Sequence, residues 1–157
     1  MGLYCIRYSL KDLKEQAYNK EQYEKPALRK KVDVLIIDDQ LLSPEKYLRN
    51  NGFILTHKED IDSIKDVEPY SVILCDIQGV GKKLGSNKGG AFIIKEIKTN
   101  YPNKQIIAYT GDAFNIAYTN YLKLADSVLE KDAELDTWVE TLDTQIKQAT
   151  EPEYQWK

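Results

Sequence analysis

The chain has 157 residues, of which 42% are hydrophobic and 30% charged, and a formal net charge of −3. That size supports one packed core, and the composition excludes disordered, collagen-like and low-complexity classes. No apolar run approaches the roughly 20 residues a membrane-spanning helix requires, and the N-terminal MGLYCIRYSLKDLKEQ lacks the apolar core of a signal peptide. Cys5 and Cys75 cannot build a disulfide scaffold and lack metal-ligand spacing, so both are expected reduced and the location cytoplasmic.

Residues 1–31 carry a balance of +4 and residues 32–157 a balance of −7. This N-terminal extension is basic, but its charges alternate in sign and its arginines are not clustered. A solvated helix face therefore fits it better than a nucleic-acid footprint. Tyr4, Ile6 and Tyr8 alternate with Cys5 and Arg7, which predicts a short strand. Leu10, Leu13 and Ala17 then give one narrow helical stripe, and Pro26 is expected to end that helix. So short an amphipathic helix is unstable alone. It is expected to dock on the following domain or on a second copy, where it would restrict partner access.

From residue 32 the pattern becomes regular. Buried strands are predicted at 32–37, 52–56, 71–75, 105–109 and 127–129. Helices are predicted between them. The first has Ser43 as N-cap and Pro44 as its opening residue and runs to about Asn50. The second spans 60–67, and the third spans 90–101 and stops before Pro102. Phe114, Ala117, Tyr118, Tyr121, Leu122 and Ala125 form a fourth stripe. Leu135, Trp138, Val139, Leu142 and Ile146 form the last, with Asp132 and Glu134 at its N-terminal end.

Strict β–α alternation predicts an α/β, flavodoxin-like three-layer fold. Its sheet has five parallel strands in the order 2-1-3-4-5, with helices on both faces. In such sheets the site lies at the carboxyl ends of the strands, near the switch between strands 1 and 3. Asp38 and Asp39 end strand 1, Asp76 ends strand 3, Thr110 ends strand 4 and Lys131 follows strand 5. Each could separately be a helix cap. Together, three carboxylates on one rim repel, by about 4 kcal/mol per pair at 4 Å and an effective dielectric near 20. A cation or shared proton must offset that. Hard oxygen donors without His or Cys suit Mg²⁺. A carboxylate is also a competent nucleophile toward phosphorus, and Lys131 and Thr110 could then contact the phosphoryl oxygens.

VDVLIIDDQ, SVILCDI, IIAYTG and ADSVLEKD, in that order, resemble the receiver domain of two-component response regulators over residues 32 to about 148. The resemblance implies Asp76 as phosphoacceptor and Asp38 and Asp39 as the acidic metal pair. It also implies the backbone carbonyl of Gln78 as a metal ligand, Thr110 as switch hydroxyl and Lys131 as the site lysine. The implied function is Mg²⁺-dependent acceptance of a phosphoryl group from a histidine kinase or phosphotransfer protein, by autocatalysis rather than as a turnover enzyme. Output is expected through contact with a downstream protein, with homodimerisation open. After residues 32–150 only the tail 151–157 remains, so no DNA-binding domain is expected in this chain.

Three features depart from that family. The loop 79–90 is longer and rich in Gly and Lys. Val128 replaces an aromatic, and Asp132 stands where Pro is common. They motivate an alternative, an interaction module that works without phosphorylation. The loop fits neither a P-loop nor a dinucleotide fingerprint, and is read as a flexible segment or lid with three lysines. A haloacid-dehalogenase-type phosphatase would need Asp-x-Asp where Asp38-Asp39-Gln40 stands. His57, the single histidine, has no second ligand around it, and the tyrosines and tryptophans read as packing residues rather than a stacking surface.

Overall fold

The computed structural model describes residues 9–85, 89–111 and 119–151. Strands β1 (Asp33–Ile37), β2 (Ile54–Lys58), β3 (Val72–Asp76), β4 (Gln105–Thr110) and β5 (Ser127–Glu130) form one sheet in the order β2-β1-β3-β4-β5. All four pairings are parallel, so this is the flavodoxin-like α/β arrangement that the alternation predicts. The helices are α1 (Leu10–Arg29), α2 (Glu45–Asn50), α3 (Gly90–Asn100), α4 (Thr119–Leu122) and α5 (Leu135–Thr150). None is long and apolar enough to cross a membrane among the described residues.

Side chains alternate between the two faces of the sheet, and the central strands β1, β3 and β4 are covered on both faces while the edge strands β2 and β5 are partly exposed. Val34, Ile36, Leu74, Ile107 and Tyr109 pack with Leu48 of α2 and with Trp138, Leu142 and Ile146 of α5. Leu35, Ile37, Ile73, Cys75 and Ala108 face the other way, onto Val67 and onto Ile93, Ile94 and Ile97 of α3. β3 and β4 are buried at every position, as their unbroken apolar runs require.

Several boundaries differ from the sequence expectation. Strand β2 starts at Ile54, because Gly52 (φ +89°) and Phe53 still donate backbone hydrogen bonds to Arg49 and Leu48 at the end of α2. That places His57 on the strand rather than after it. Pro44 is the N-cap of α2, and Ser43 makes no capping bond. The helix expected over 60–67 is a single 3₁₀ turn, Ile64–Val67, opened by a reciprocal capping box between Ser63 and Asp66. Leu135 is 43% exposed and contributes little to the buried stripe of α5. Phe114, Ala117 and Tyr118 of the fourth stripe, and the Tyr4–Tyr8 strand, lie outside the described residues.

Pro26 does not end α1, which continues to Arg29. An interior proline costs about 3 kcal/mol or more, and contacts at the helix end offset it. Arg29 makes a two-pronged bond to Asp143 of α5 (2.8 and 2.7 Å) and donates to the Asn51 carbonyl at 2.9 Å. Its guanidinium also sits 4.5 Å from the Phe53 ring centroid, and Leu28 packs on the core. The start of α1 is fixed by Ser9 and Asp12, each capping the other's backbone N–H at 3.1 Å. Between these ends the stripe is uncovered, with Leu10 69% and Leu13 49% exposed.

Candidate functional site

The site is assembled by the carboxyl ends of the strands. Asp38 and Asp39 leave β1, Asp76 closes β3, Thr110 closes β4, and Lys131 follows β5. Asp38 and Asp76 are 1% and 2% exposed, whereas Asp39 is exposed. One oxygen from each of the three carboxylates lies within 4.8 Å of the others, a cluster able to hold a metal ion. The donor set is all hard oxygen, which fits a hard divalent cation and not a soft one.

Asp76 is held at both oxygens. Lys131 Nζ donates to Oδ2 at 3.0 Å and the Gln78 N–H donates to Oδ1 at 3.1 Å. Burial nonetheless pushes the Asp76 carboxyl up to about 6, with the Asp38 charge adding to it and Lys131 and Gln78 opposing. Lys131 thus does not fully offset the cost of burying this carboxylate, an electrostatic condition that favours binding a cation. The Lys131 N–H also donates to the Thr110 carbonyl at 3.1 Å, tying the two strand ends together. Thr110 is buried beside them.

Asp38 is held more completely than Asp39. Its Oδ1 accepts from the Gln40 N–H at 3.0 Å and its Oδ2 from the Tyr109 hydroxyl at 2.8 Å. Its carbonyl faces His57 Nε2 at 2.7 Å, while His57 Nδ1 faces Glu45 at 3.0 Å. Both ring nitrogens thus face acceptors, which only the doubly protonated imidazolium satisfies. Burial works against that charge, but the Asp38 carbonyl and Glu45 outweigh it and raise the His57 pKa.

Close packing beneath the acids demands glycine at two positions. A Cβ on Gly79, itself at φ +83°, would fall 2.5 Å from an Asp39 carboxylate oxygen, and one on Gly90 would overlap the Asp76 carbonyl. The loop between them is built rather than slack where it is described. Asp60 accepts the backbone N–H of Gly81 at 2.8 Å and of Lys83 at 3.1 Å, and Lys82–Leu84 form a 3₁₀ turn. Lys88 lies outside the described residues. Over 79–85 the Asp60 carboxylate caps that turn.

The sequence reading brought Asp38, Asp39, Asp76, Thr110 and Lys131 to one rim, and the structure places all five there. Gln78 adjoins Asp76 through its backbone N–H. Tyr109, His57 and Asp60 were not foreseen as parts of this neighbourhood. For Tyr109 a signal existed: a hydroxyl within a fully buried strand must find a partner. Val128 is 45% exposed on β5 and no aromatic stands at that position. A groove lined by Leu28, Glu140, Asp143 and Lys147 runs between α1 and α5 and contains none of the rim residues.

No protein-family model and no curated protein sequence matches the chain. Solved structures do. The signal receiver domain of a LuxO repressor protein from Vibrio parahaemolyticus superposes with a TM-score of 0.64 at 18% identity, over 78% of this chain and 95% of that one. A CheY-like response regulator receiver domain protein from Methanospirillum hungatei gives 0.64 at 18% identity, over 77% and 98%. A response regulator from Thermotoga maritima gives 0.58 at 15% identity, over 74% and 98%. The chain therefore has the fold of response-regulator receiver domains, with an acidic cluster at the carboxyl edge of its sheet.

Proposed function

We propose that the protein is a receiver-type phosphoacceptor that takes a phosphoryl group onto Asp76. The observation that carries this reading is the Asp76 carboxylate, buried at the strand edge, 3.0 Å from Lys131 and clustered with Asp38 and Asp39. In the transfer, an Asp76 oxygen forms a bond to phosphorus as the P–N bond of a donor phosphohistidine breaks. The imidazole leaves with the electron pair and takes up a proton. Lys131 and the Thr110 hydroxyl bind the arriving phosphoryl oxygens, with the Lys131 ammonium balancing their charge. Asp38, Asp39, Asp76 and the Gln78 backbone carbonyl are the residues that would hold Mg²⁺. When bound, the ion supplies positive charge to carboxylate and phosphoryl oxygens alike.

On this reading the partners are a histidine kinase or phosphotransfer protein and a downstream protein contacted by the modified face. The chain phosphorylates and dephosphorylates itself rather than turning over a separate substrate. Val128, exposed where such domains carry a switching aromatic, supports a second reading, an interaction module indifferent to phosphorylation. Incubation with acetyl phosphate and Mg²⁺, read by intact mass, separates them. One added phosphoryl mass is expected. An unchanged mass under saturating donor would leave the second reading.

A further inference from the structure

We propose that Tyr109 is a positioning residue of the acidic site, orienting Asp38 through its buried hydroxyl. The proposal rests on the reading of that site as one that takes a divalent cation and a phosphoryl group. Tyr109 is fully buried on β4, in a strand whose other inner positions are aliphatic. A phenylalanine would fill the same space, and a hydroxyl buried there is costly unless paired. Its partner is the Asp38 Oδ2 at 2.8 Å, on a carboxylate of the candidate metal cluster rather than a passing backbone carbonyl.

The same residue touches the rest of the rim. The Lys131 ammonium lies 5.8 Å from its ring centroid, close enough for a cation–π attraction. Its carbonyl accepts the Ile77 N–H at 3.1 Å, directly after Asp76, and Thr110 is its chain neighbour. The ring packs against Trp138 in a T-shaped contact, with centroids 5.4 Å apart and planes at 65°. A rigid donor therefore fixes the carboxylate plane of Asp38, with the Gln40 N–H holding the other oxygen at 3.0 Å. Outer partners of this kind preserve the geometry of metal-binding side chains. Asp39, exposed and beside Gly79, is left to adjust.

Tyr109→Phe removes the hydroxyl and keeps the ring. Calorimetry should show Mg²⁺ affinity weakened by about tenfold or more, while the melting temperature changes by only a few degrees. An affinity equal to wild type would overturn the proposal, and so would a lowered melting temperature with unchanged affinity, the mark of a purely structural hydroxyl. Should wild type itself bind no Mg²⁺, the underlying reading of the site falls and this proposal with it. If the variant does not fold, ¹³C-labelled Tyr109 in wild type decides. Its Cζ resonance must shift on Mg²⁺ addition, and an unmoved resonance would refute the role.

Discussion

The acidic rim and α1 both hold buried charged groups, yet the two regions are built in opposite ways. At the rim, like charges are gathered: one oxygen from each of three carboxylates lies within 4.8 Å of the others, Lys131 bonds Asp76, and burial pushes Asp76 up to about 6. At the foot of α1, opposite charges are matched: Arg29 and Asp143 form a forked bond with side chains only 14% and 8% exposed. Matched buried charge anchors an element, whereas gathered buried charge waits for a ligand. The contrast extends along α1 itself. Its Arg29 end is gripped, while Leu10 and Leu13 at its other end stand in solvent.

The largest effect should come from breaking the matched pair. Arg29→Ala leaves Asp143 buried and unpaired, and strips the bond to Asn51 and the contact with Phe53. We expect a loss of about 3–5 kcal/mol in denaturant unfolding. Lys20→Ala, which breaks an exposed pair 3.7 Å long on the same helix, should cost at most about 1 kcal/mol. Equal losses for the two would remove the distinction between anchor and surface pair.

Relieving the gathered charge should do the reverse. The Asp76 pKa is raised from 3.8 to about 6 in the folded state. Between those values the folded protein therefore binds more protons than the unfolded one, and stability falls as pH rises. Asp76→Asn should remove that loss, with the gain largest above pH 6 and fading below about pH 4. Urea melts of both proteins across that window test it, and a pH-independent difference between them would contradict the charge argument.

The rim was legible in the sequence because short apolar runs and period-3.6 stripes fix where strands end, and in a parallel sheet those ends share one edge. Asp38, Asp39, Asp76, Thr110 and Lys131 needed nothing more. What escaped depends on tertiary packing. The Tyr109 hydroxyl could have pointed to any acceptor until Trp138 and β1 were placed around it. Pro26 reads as a helix stop by local rule, and only the distant partners Asp143, Asn51 and Phe53 reverse that. Asp60 reads as the start of a helix, but its carboxylate caps a loop 21 residues away. Gly52 and Phe53 read as strand, yet their hydrogen bonds belong to the end of α2.

Within the rim, the two neighbouring aspartates should differ. Among the described residues Asp39 accepts no protein hydrogen bond, while both Asp38 oxygens accept protein donors. Asp39→Ala should therefore weaken Mg²⁺ binding more than Asp38→Ala. Calorimetry giving Asp39→Ala the affinity of wild type would refute its place as the freer ligand. A smaller perturbation is Gly79→Ala, which strains a backbone at φ +83° and presses a methyl against the Asp39 carboxylate. It should cost about 1–3 kcal/mol of stability and reduce Mg²⁺ affinity together. Smallest is the gradient along α1: amides near Arg29 should be protected from hydrogen exchange, and those near Leu10 and Leu13 should exchange far faster.

The central claim is that Asp76 receives the phosphoryl group, and chemical mapping of the modified residue tests it most directly. Wild-type protein treated with acetyl phosphate and Mg²⁺ is reduced with borohydride, which converts an aspartyl phosphate to homoserine, and is then digested and sequenced by mass spectrometry. The account predicts homoserine at position 76, absent without phosphodonor. Homoserine at position 38 or 39, or none at any aspartate, would contradict it.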